Sequence, residues 1–428
     1  MASGLDRRFL RTAGRPRTPL IIMAGVVAII LAAVLSACSG GTPDDTGPGT
    51  PGGPTTATPL APGGVPASAA PGDDPRADRV IATGLRSPWG LAFLPDGDAL
   101  IGERDSGKIL LMPADDGGGK GGYGTPVEIG ALPGVYHVGE SGLLGLAVSP
   151  TYPSDHLVYA YFTTRTDNRI VRFTLDGTGD GAGAGATPKI GQVTTILTGL
   201  ASAQFHDGGR IAFGPDGMLY AGVGDATDRT RAQNLASLNG KILRMRPDGS
   251  VPPDNPFPGS LVYSLGHRNV QGLAWDSAGR LWATEFGQDT WDEVNLIRPG
   301  ANYGWPVVEG VGDTDGGRFT SPVATWPTDD ASPSGAAIAG DVLYAAALKG
   351  ERIWTIDLRP GLAQGTASPT APTTGAPTAG TPRAVRADVY GRLRTIVTAP
   401  DGTLWVATSN TDGRGQPAQD DDRIISLR

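Results

Sequence analysis

The chain has 428 residues and a formal net charge of −8, and 65 of its residues are glycine. An acidic chain without a basic stripe is a poor candidate for nucleic-acid binding, and one cysteine excludes an internal disulfide framework. Abundant glycine together with few helix-period segments indicates an all-β protein made of short strands and tight turns.

The first 37 residues are typical of a secretory leader. Five arginines come first, an apolar run follows from Leu20 to Leu35, and the segment closes with Leu35-Ser36-Ala37-Cys38. This order is typical of a lipoprotein signal peptide, in which Cys38 is lipidated and becomes the first residue of the mature chain. The alternative is that the apolar run stays as a transmembrane anchor, because its length is close to the lower limit for spanning a bilayer. Under either interpretation we expect an exported domain held at the outer face of the cell membrane.

Residues 38–78 are predicted to form an extended tether. They are rich in Pro, Gly, Thr, Ala and Ser and contain almost no large apolar side chain, so they cannot bury a core. The remaining residues, 79–428, are predicted to form one domain. Two biased inserts, 176–188 and 360–382, are expected to be long exposed loops between its strands.

One short pattern recurs six times in this domain: an apolar run, a turn such as Pro-Asp-Gly, and a second apolar run that often holds Trp or Tyr. Each copy predicts a β-hairpin, because Pro presets the first turn residue and Gly supplies a positive φ. The copies lie roughly 55 to 65 residues apart, the spacing of one four-stranded antiparallel blade, which predicts a six-bladed β-propeller. The alternative is a series of unrelated β-sandwiches. The first runs begin near Trp89, Gly142, Arg210, Gln271, Gly335 and Arg394, and the clearest second runs are 219–223, 281–284 and 404–407.

Polar residues interrupt the pattern just before or after these hairpins. Loops at one end of a closed ring converge on its central channel, so residues far apart in sequence can share one site there. The candidates are Glu140, His206 to Arg210, Asp225, Gly266 to Asn269, Glu285 to Gln288, Lys349, Arg392 and Arg394.

Several of these segments, taken in order, resemble the soluble quinoprotein sugar dehydrogenases, which use pyrroloquinoline quinone (PQQ) with calcium. The resemblance runs from about residue 82 to the C-terminus. It implies a six-bladed propeller with the cofactor at the mouth of the channel, oxidation of aldoses at C1 to lactones, and electron transfer to an external acceptor. The segments that carry the resemblance are Gly142 to Gly145, His206 with Gly209-Arg210, Gly266 to Asn269, and Asn302-Tyr303-Gly304-Trp305-Pro306.

The resemblance implies that His206 is the base that removes the proton of the anomeric hydroxyl while hydride passes to the C5 carbon of the quinone. Histidine suits proton abstraction near neutrality. Asp225 matches the carboxylate that orients this base, and Arg268 and Asn269 match residues that contact the quinone oxygens and orient its reacting edge. From the residues alone, a histidine close to two glycines is more often a turn residue.

The resemblance also implies that Lys349, Arg392 and Arg394 bind the carboxylates of the cofactor. Planar guanidinium groups suit carboxylates, and residues two apart on a strand share a face, although a solvated strand face is the alternative for such a pair. Glu140 also falls in the cofactor region, at a position that is glutamine in the glucose-oxidising members. A carboxylate there would repel an anionic cofactor unless it is protonated or paired.

Calcium in these enzymes has backbone-carbonyl ligands that would correspond to Gly287 and Gln288. Gln288 stands where proline is usual, and Phe286 replaces a polar neighbour. Trp326, before Pro327, resembles the aromatic residue that lines the substrate pocket, with packing between blades as its alternative.

Two other functions remain open from the sequence. A calcium-dependent lactonase-like hydrolase would need Asp, Glu and Asn side chains converging on one metal, and these are not obvious at matching positions. A non-catalytic receptor or carbohydrate-binding propeller would keep the blades but tolerate loss of the base and the cations. We therefore expect a monomeric, lipid-anchored sugar dehydrogenase that binds an aldose and an external electron acceptor but no nucleic acid.

Overall fold

The structure is a computed structural model that describes residues 78–114, 122–177, 187–362 and 379–428. The predicted leader, the predicted lipidation site Cys38, nearly all of the predicted tether and the middle of both inserts lie outside these residues. Within the described ranges, no helix is long and apolar enough to cross a membrane.

The strands of these ranges, numbered in chain order, form six four-stranded antiparallel sheets, or blades. Blade 1 contains β2 (Pro88–Phe93), β3 (Ala99–Glu103), β4 (Lys108–Met112) and β5 (Val127–Ala131). Blade 2 contains β6 (Leu143–Val148), β7 (Leu157–Thr163), β8 (Asn168–Asp176) and β9 (Lys189–Leu200). Blade 3 contains β10 (Ile211–Phe213), β11 (Leu219–Val223), β12 (Lys241–Met245) and β13 (Val262–Leu265).

Blade 4 contains β14 (Val270–Trp275), β15 (Leu281–Glu285), β16 (Trp291–Ile297) and β17 (Ala324–Pro327). Blade 5 contains β18 (Pro333–Ala339), β19 (Val342–Ala347), β20 (Arg352–Asp357) and β21 (Arg383–Val385). Blade 6 contains β22 (Leu393–Thr398), β23 (Leu404–Thr408), β24 (Ile424–Leu427) and β1 (Arg79–Ala82). Helical segments are short: α1 (Tyr152–Asp155), α2 (Thr230–Gln233), α3 (Arg359–Leu362) and a 3₁₀ turn at Asp315–Gly317.

The predicted six-bladed propeller is confirmed. The six predicted first runs coincide with the first strands of the blades, β2, β6, β10, β14, β18 and β22, which contact one another in a ring around the channel. The ring is closed by β1, which pairs with β24 from Arg79 opposite Ser426, so the first strand of the domain completes the last blade. This pairing joins the two ends of the domain within one blade.

Aromatic and aliphatic side chains fill the spaces between blades. Phe93 packs edge-on against Trp405 between blades 1 and 6, with ring centroids 4.9 Å apart, and Tyr159 meets Phe213 between blades 2 and 3 at 5.0 Å. Near the channel the first strands approach closely: a Cβ on Gly145 would lie 2.3 Å from the Gly209 carbonyl oxygen. A side chain at this position would push blades 2 and 3 apart.

The strand order decides which loops share an end of the ring. In an antiparallel blade, the loop between the second and third strands leaves from the same end as the loop that leads to the next blade. His206, Arg268 and Arg392 lie on loops between blades, while Asp225 and Lys349 lie on loops between second and third strands. These five sequence-predicted site residues are therefore delivered to one mouth of the channel.

Candidate active site

A cavity of about 480 Å³ opens at this mouth. It is lined by Glu140, Phe205, His206, Arg268, Asn269, Phe286, Gly287, Gln288, Asp292, Thr328, Ser332, Leu348, Lys349, Arg392 and Arg414. Most of the residues predicted from the sequence are thus brought together. Asp225 and Arg394 are buried close to this lining but do not belong to it.

His206 and Asp225 form a buried pair. The Nδ1 atom of His206 lies 2.8 Å from Asp225 Oδ1, and only 1% of the Asp225 side chain is exposed. Burial raises the pKa of Asp225, but the hydrogen bonds with His206 and Trp305 outweigh it, so the pKa lies below the usual value for Asp. His206 lines the cavity, and its Nε2 atom has no hydrogen-bond partner in the described part of the chain. The imidazole can therefore accept a proton from a molecule in the cavity while a carboxylate stabilises the cation that forms.

Glu140 is paired rather than isolated. Its Oε2 atom accepts a hydrogen bond of 3.1 Å from the His206 backbone N–H, and its Oε1 atom lies 3.3 Å from Arg414 Nη1. His206 has a φ of +65°, in the left-handed region that most side chains avoid. Glu140 thus holds the backbone of His206 in an uncommon conformation, and Arg414 offsets its charge.

The backbone at Arg268 and Asn269 is held by the buried carboxylate of Glu285. Glu285 accepts hydrogen bonds from both of their backbone N–H groups, and its other oxygen lies 2.8 Å from His267 Nδ1. The Arg268 side chain donates to the Gln288 side chain and to the Phe286 carbonyl, both at 3.2 Å. Burial lowers the pKa of Arg268, while nearby carboxylates oppose this effect. Asn269 lines the cavity and its Nδ2 atom is buried without a partner in the described residues, so it can donate to a bound oxygen.

The other cations at the mouth each have a carboxylate of their own. Arg392 binds Asp412 at 2.9 Å, and Lys349 forms an ion pair with Asp329. Burial raises the pKa of Asp412, but the hydrogen bond from Arg392 outweighs it and the net pKa is lowered. An anionic ligand at the mouth must therefore share these cations with carboxylates that the protein already provides.

Arg392 and Arg394 do not share one strand face. The strand β22 begins at Leu393, so Arg392 precedes it, and the pairing with β23 shifts register between Leu393 and Thr395. Arg394 is buried among the first strands, where it donates to the Gln271 side chain at 3.2 Å and its Nε atom lacks a partner in the described residues. Burial and the nearby Arg104 lower the pKa of Arg394 to about 9.

The loop with Gly287 and Gln288 is tied down by two acidic residues. The Oε1 atom of Glu309 accepts hydrogen bonds of 2.8–3.2 Å from four successive backbone N–H groups, 288–291, and these four bonds outweigh burial and lower its pKa. Asp292 accepts from the N–H of Gly287, and burial raises its pKa to about 6. The carbonyl oxygens of Gly287 and Gln288 accept no hydrogen bond in the described part of the chain. Because no group of three His, Cys, Asp or Glu side chains suited to a metal occurs in the described ranges, a cation here would depend on such carbonyls.

Trp326 does not line the cavity. It is on β17, the outermost strand of blade 4, and is 5% exposed within an apolar cluster that includes Trp282 and Leu343. Its ring lies 5.2 Å from that of Trp354. This packing agrees with the structural alternative, but the substrate-binding role stays a prediction, because the cross-strand partner Asp292 and the nearby Thr328 both line the cavity.

Several residues of this region had no role in the sequence-based prediction. Arg414 and Asp412 lie in an aperiodic loop of blade 6, and Glu309 lies in a long loop of blade 4, where the repeat gives no signal. Trp305 belongs to a segment that carried the family resemblance, but no contact could be assigned to it. In the structure its indole N–H donates to Asp225 Oδ2 at 2.9 Å.

The sequence profile of the family described as Glucose / Sorbosone dehydrogenase matches residues 85–417. Quinoprotein glucose dehydrogenase B of Acinetobacter calcoaceticus is 31% identical over 298 residues, which cover 62% of this chain and 60% of that protein. The aldose sugar dehydrogenase of Escherichia coli is 30% identical over 240 residues, which cover 53% of this chain and 61% of that protein. The chain thus spans about three fifths of the length of these curated relatives.

A solved structure gives a longer match. The PQQ-bound form of aldose sugar dehydrogenase from Streptomyces coelicolor is 51% identical, with a TM-score of 0.70, and the match covers 81% of this chain and 96% of that one. The fold and most of the described domain are therefore shared with that protein.

Proposed function

This chain belongs to the glucose/sorbosone dehydrogenase family, and on that premise we propose that it is a PQQ-dependent enzyme that oxidises aldoses at C1 to lactones. The observation that carries the proposal is the His206–Asp225 pair at 2.8 Å, beside a cavity whose rim holds Arg268, Lys349 and Arg392. A base and a set of cations at one mouth are what proton abstraction beside an anionic cofactor requires.

The residues present fit a tricarboxylate quinone. Lys349, Arg392 and Arg414 would take its carboxylates, and Arg394 would add buried positive charge beneath them. The unpartnered Asn269 Nδ2 atom and the Arg268 guanidinium would donate to its carbonyl oxygens. When bound, the quinone supplies the acceptor for the two electrons that leave C1 with hydrogen.

The protein supplies the proton chemistry. His206 Nε2 takes the proton of the C1 hydroxyl, and Asp225 keeps the imidazole in the tautomer that leaves Nε2 free and stabilises the imidazolium. Loss of that proton and of the C1 hydrogen with its electron pair converts the hemiacetal carbon into the lactone carbonyl.

Calcium is a second part of the proposal. The carbonyl oxygens of Gly287 and Gln288 would be its ligands, because carbonyls are suitable for a hard cation and both are free of hydrogen bonds in the described residues. Proline is not required at 288, since any residue can present a carbonyl.

We further propose that the enzyme is a monomer exported to the outer face of the cell membrane and lipid-anchored at Cys38, where it reduces an external electron acceptor. The order of arginines, apolar run and cysteine in the first 38 residues supports this.

The test is sugar-dependent dye reduction by the purified protein, with and without PQQ and calcium, across a panel of aldoses. Activity that requires PQQ and is lost in His206→Ala supports the proposal. The same samples should be assayed for calcium-dependent hydrolysis of lactones. Hydrolysis without dye reduction would establish the lactonase alternative, and no activity together with no PQQ binding would leave a binding propeller.

A further inference from the structure

Asp225 is held by three donors on two sides. Its Oδ1 atom faces His206 Nδ1 and the Thr227 N–H, each at 2.8 Å. Its Oδ2 atom accepts from Trp305 Nε1 at 2.9 Å, and no other partner of Oδ2 is found in the described part of the chain. The indole N–H of Trp305 therefore determines the orientation of the carboxylate that contacts the base.

Trp305 reaches this position by an unusual route. It lies between β16 and β17, and a loop between third and fourth strands leaves from the opposite end of the blade. The loop instead runs beside β13: the N–H of Gly300 donates to Tyr263, that of Tyr303 donates to Leu265, and that of Trp305 donates to Gly266 at 3.0 Å. This added segment along the edge of blade 3 carries Trp305 to the mouth.

The indole is also fixed where it arrives. Trp305 is 7% exposed, and its carbonyl oxygen accepts a hydrogen bond of 2.7 Å from Gln233 Nε2. The guanidinium groups of Arg229 and Arg268 lie 5.3 Å and 5.6 Å from its ring centroid. Trp305 is thus held through its backbone carbonyl and through the arginines beside its ring. Its indole N–H cannot turn away from Asp225 at low cost.

Resting on the proposed function of the His206–Asp225 pair, we propose that Trp305 is a positioning residue that orients Asp225 and thereby sets the pH at which the pair takes up its proton. A donor to a carboxylate stabilises the ionised form. Without that donor, more of the carboxylate's negative charge acts on the imidazolium, so the pair becomes more basic.

Other charged groups face the pair and must be held constant in any test. Glu140 accepts from the His206 N–H, Arg231 donates to the Asp225 carbonyl, and Arg268 acts on Asp225 through its charge. Asp207 is turned away, toward Asn168. Trp305→Phe removes the N–H together with one ring of the indole, while phenylalanine keeps an aromatic ring near both arginines and changes none of these charged groups.

The experiment uses Trp305→Phe with Trp354→Phe as a matched control, because the Nε1 atom of Trp354 is buried without a partner in the described residues. The titration of the pair is followed by NMR of the His206 imidazole in the protein without cofactor, with His206→Asn used to assign the signal. We expect the midpoint to rise by roughly one pH unit in Trp305→Phe, the size of one charge-assisted hydrogen bond, and to stay unchanged in Trp354→Phe.

The pH dependence of kcat, measured with PQQ and an aldose, is the second measurement. The acid limb should move to higher pH in Trp305→Phe, with KM changed less than kcat. A folded Trp305→Phe protein whose imidazole titration matches the wild type would overturn the proposal. If the titration is shifted in Trp305→Phe but the wild-type protein oxidises no aldose, the role of Trp305 is retained and the proposed function is rejected.

Discussion

Glu140 Oε1 lies 3.3 Å from Arg414 Nη1, so the loop before blade 2 is tied to a loop of blade 6 across one side of the mouth. The same carboxylate accepts the backbone N–H of His206 through its other oxygen. A residue expected to repel an anionic cofactor thus also holds the proposed base and is partly neutralised. The two roles can be separated by experiment.

Glu140→Gln should bind PQQ more tightly than the wild type. Glutamine keeps an oxygen for the His206 N–H but carries no charge, and it frees Arg414 for the cofactor. Removing one partly screened negative charge from beside an anionic ligand changes affinity by about five-fold. Calorimetric titration of the cofactor-free protein measures the change, with Glu128→Gln, which loses an exposed ion pair with Lys108, as the control. Equal or weaker binding by Glu140→Gln would contradict the repulsion argument.

His206→Ala should abolish turnover while leaving PQQ binding nearly intact. The imidazole is proposed to remove the substrate proton, a contribution of about 10² to 10⁴ in rate. Steady-state kcat and the dissociation constant of PQQ are the two measurements. His156→Asn is the control. His156 directly follows α1 with a φ of +51°, which asparagine tolerates, and it does not line the cavity. Turnover within ten-fold of the wild type in His206→Ala would reject this assignment of the base.

Arg392→Met should weaken PQQ binding at least ten-fold. The change removes a guanidinium from the mouth and leaves Asp412, whose side chain is 2% exposed, as an unpaired negative charge beside the cofactor. Arg359→Met is the control, since Arg359 also pairs with an aspartate, Asp357, but on the opposite end of the ring. If both variants bind PQQ equally, Arg392 has no part in the site.

Glu309→Ala should raise the calcium concentration that gives half-maximal activity about ten-fold or more. Without its carboxylate, four backbone N–H groups lose their shared acceptor, and the loop that presents the Gly287 and Gln288 carbonyls is no longer fixed. Activity should return at high calcium. A variant with unchanged calcium dependence would indicate that the ion, if required, binds elsewhere.

Asp207→Asn should gain stability relative to the wild type as the pH rises. Burial raises the pKa of Asp207 to about 7, against 3.8 for an ordinary Asp. The native state therefore holds a proton that the unfolded state releases, so the stability contributed by this proton is complete below pH 3.8 and is lost as the pH rises to about 7. Asparagine is neutral throughout. The melting temperature of the variant should exceed that of the wild type by a few degrees more at pH 8 than at pH 5; a constant difference would show that Asp207 is ionised in the folded protein.

The extent to which the site could be predicted differs from residue to residue. His206, Arg268 and Lys349 could be proposed because they match the family resemblance and adjoin blade strands, and a closed ring brings the loops of one end together. The surroundings of Trp326 could not be predicted, because the sequence Trp-Pro is the same whether the indole faces a channel or packs against a neighbouring blade. Arg414 and Glu309 act from aperiodic loops, where the sequence carries no period from which to infer a direction.

The sequence by itself determined the repeat, the six first strands and the end of the ring at which polar residues gather, because strand alternation and turn chemistry are local properties. Only the tertiary structure decided which charges meet. The closure by β1, the pairing of Arg392 with Asp412 and of Glu140 with Arg414, and the return of the 298–323 loop to place Trp305 on Asp225 all join residues distant in the chain. Such contacts follow from the geometry of the closed ring, which no local pattern encodes.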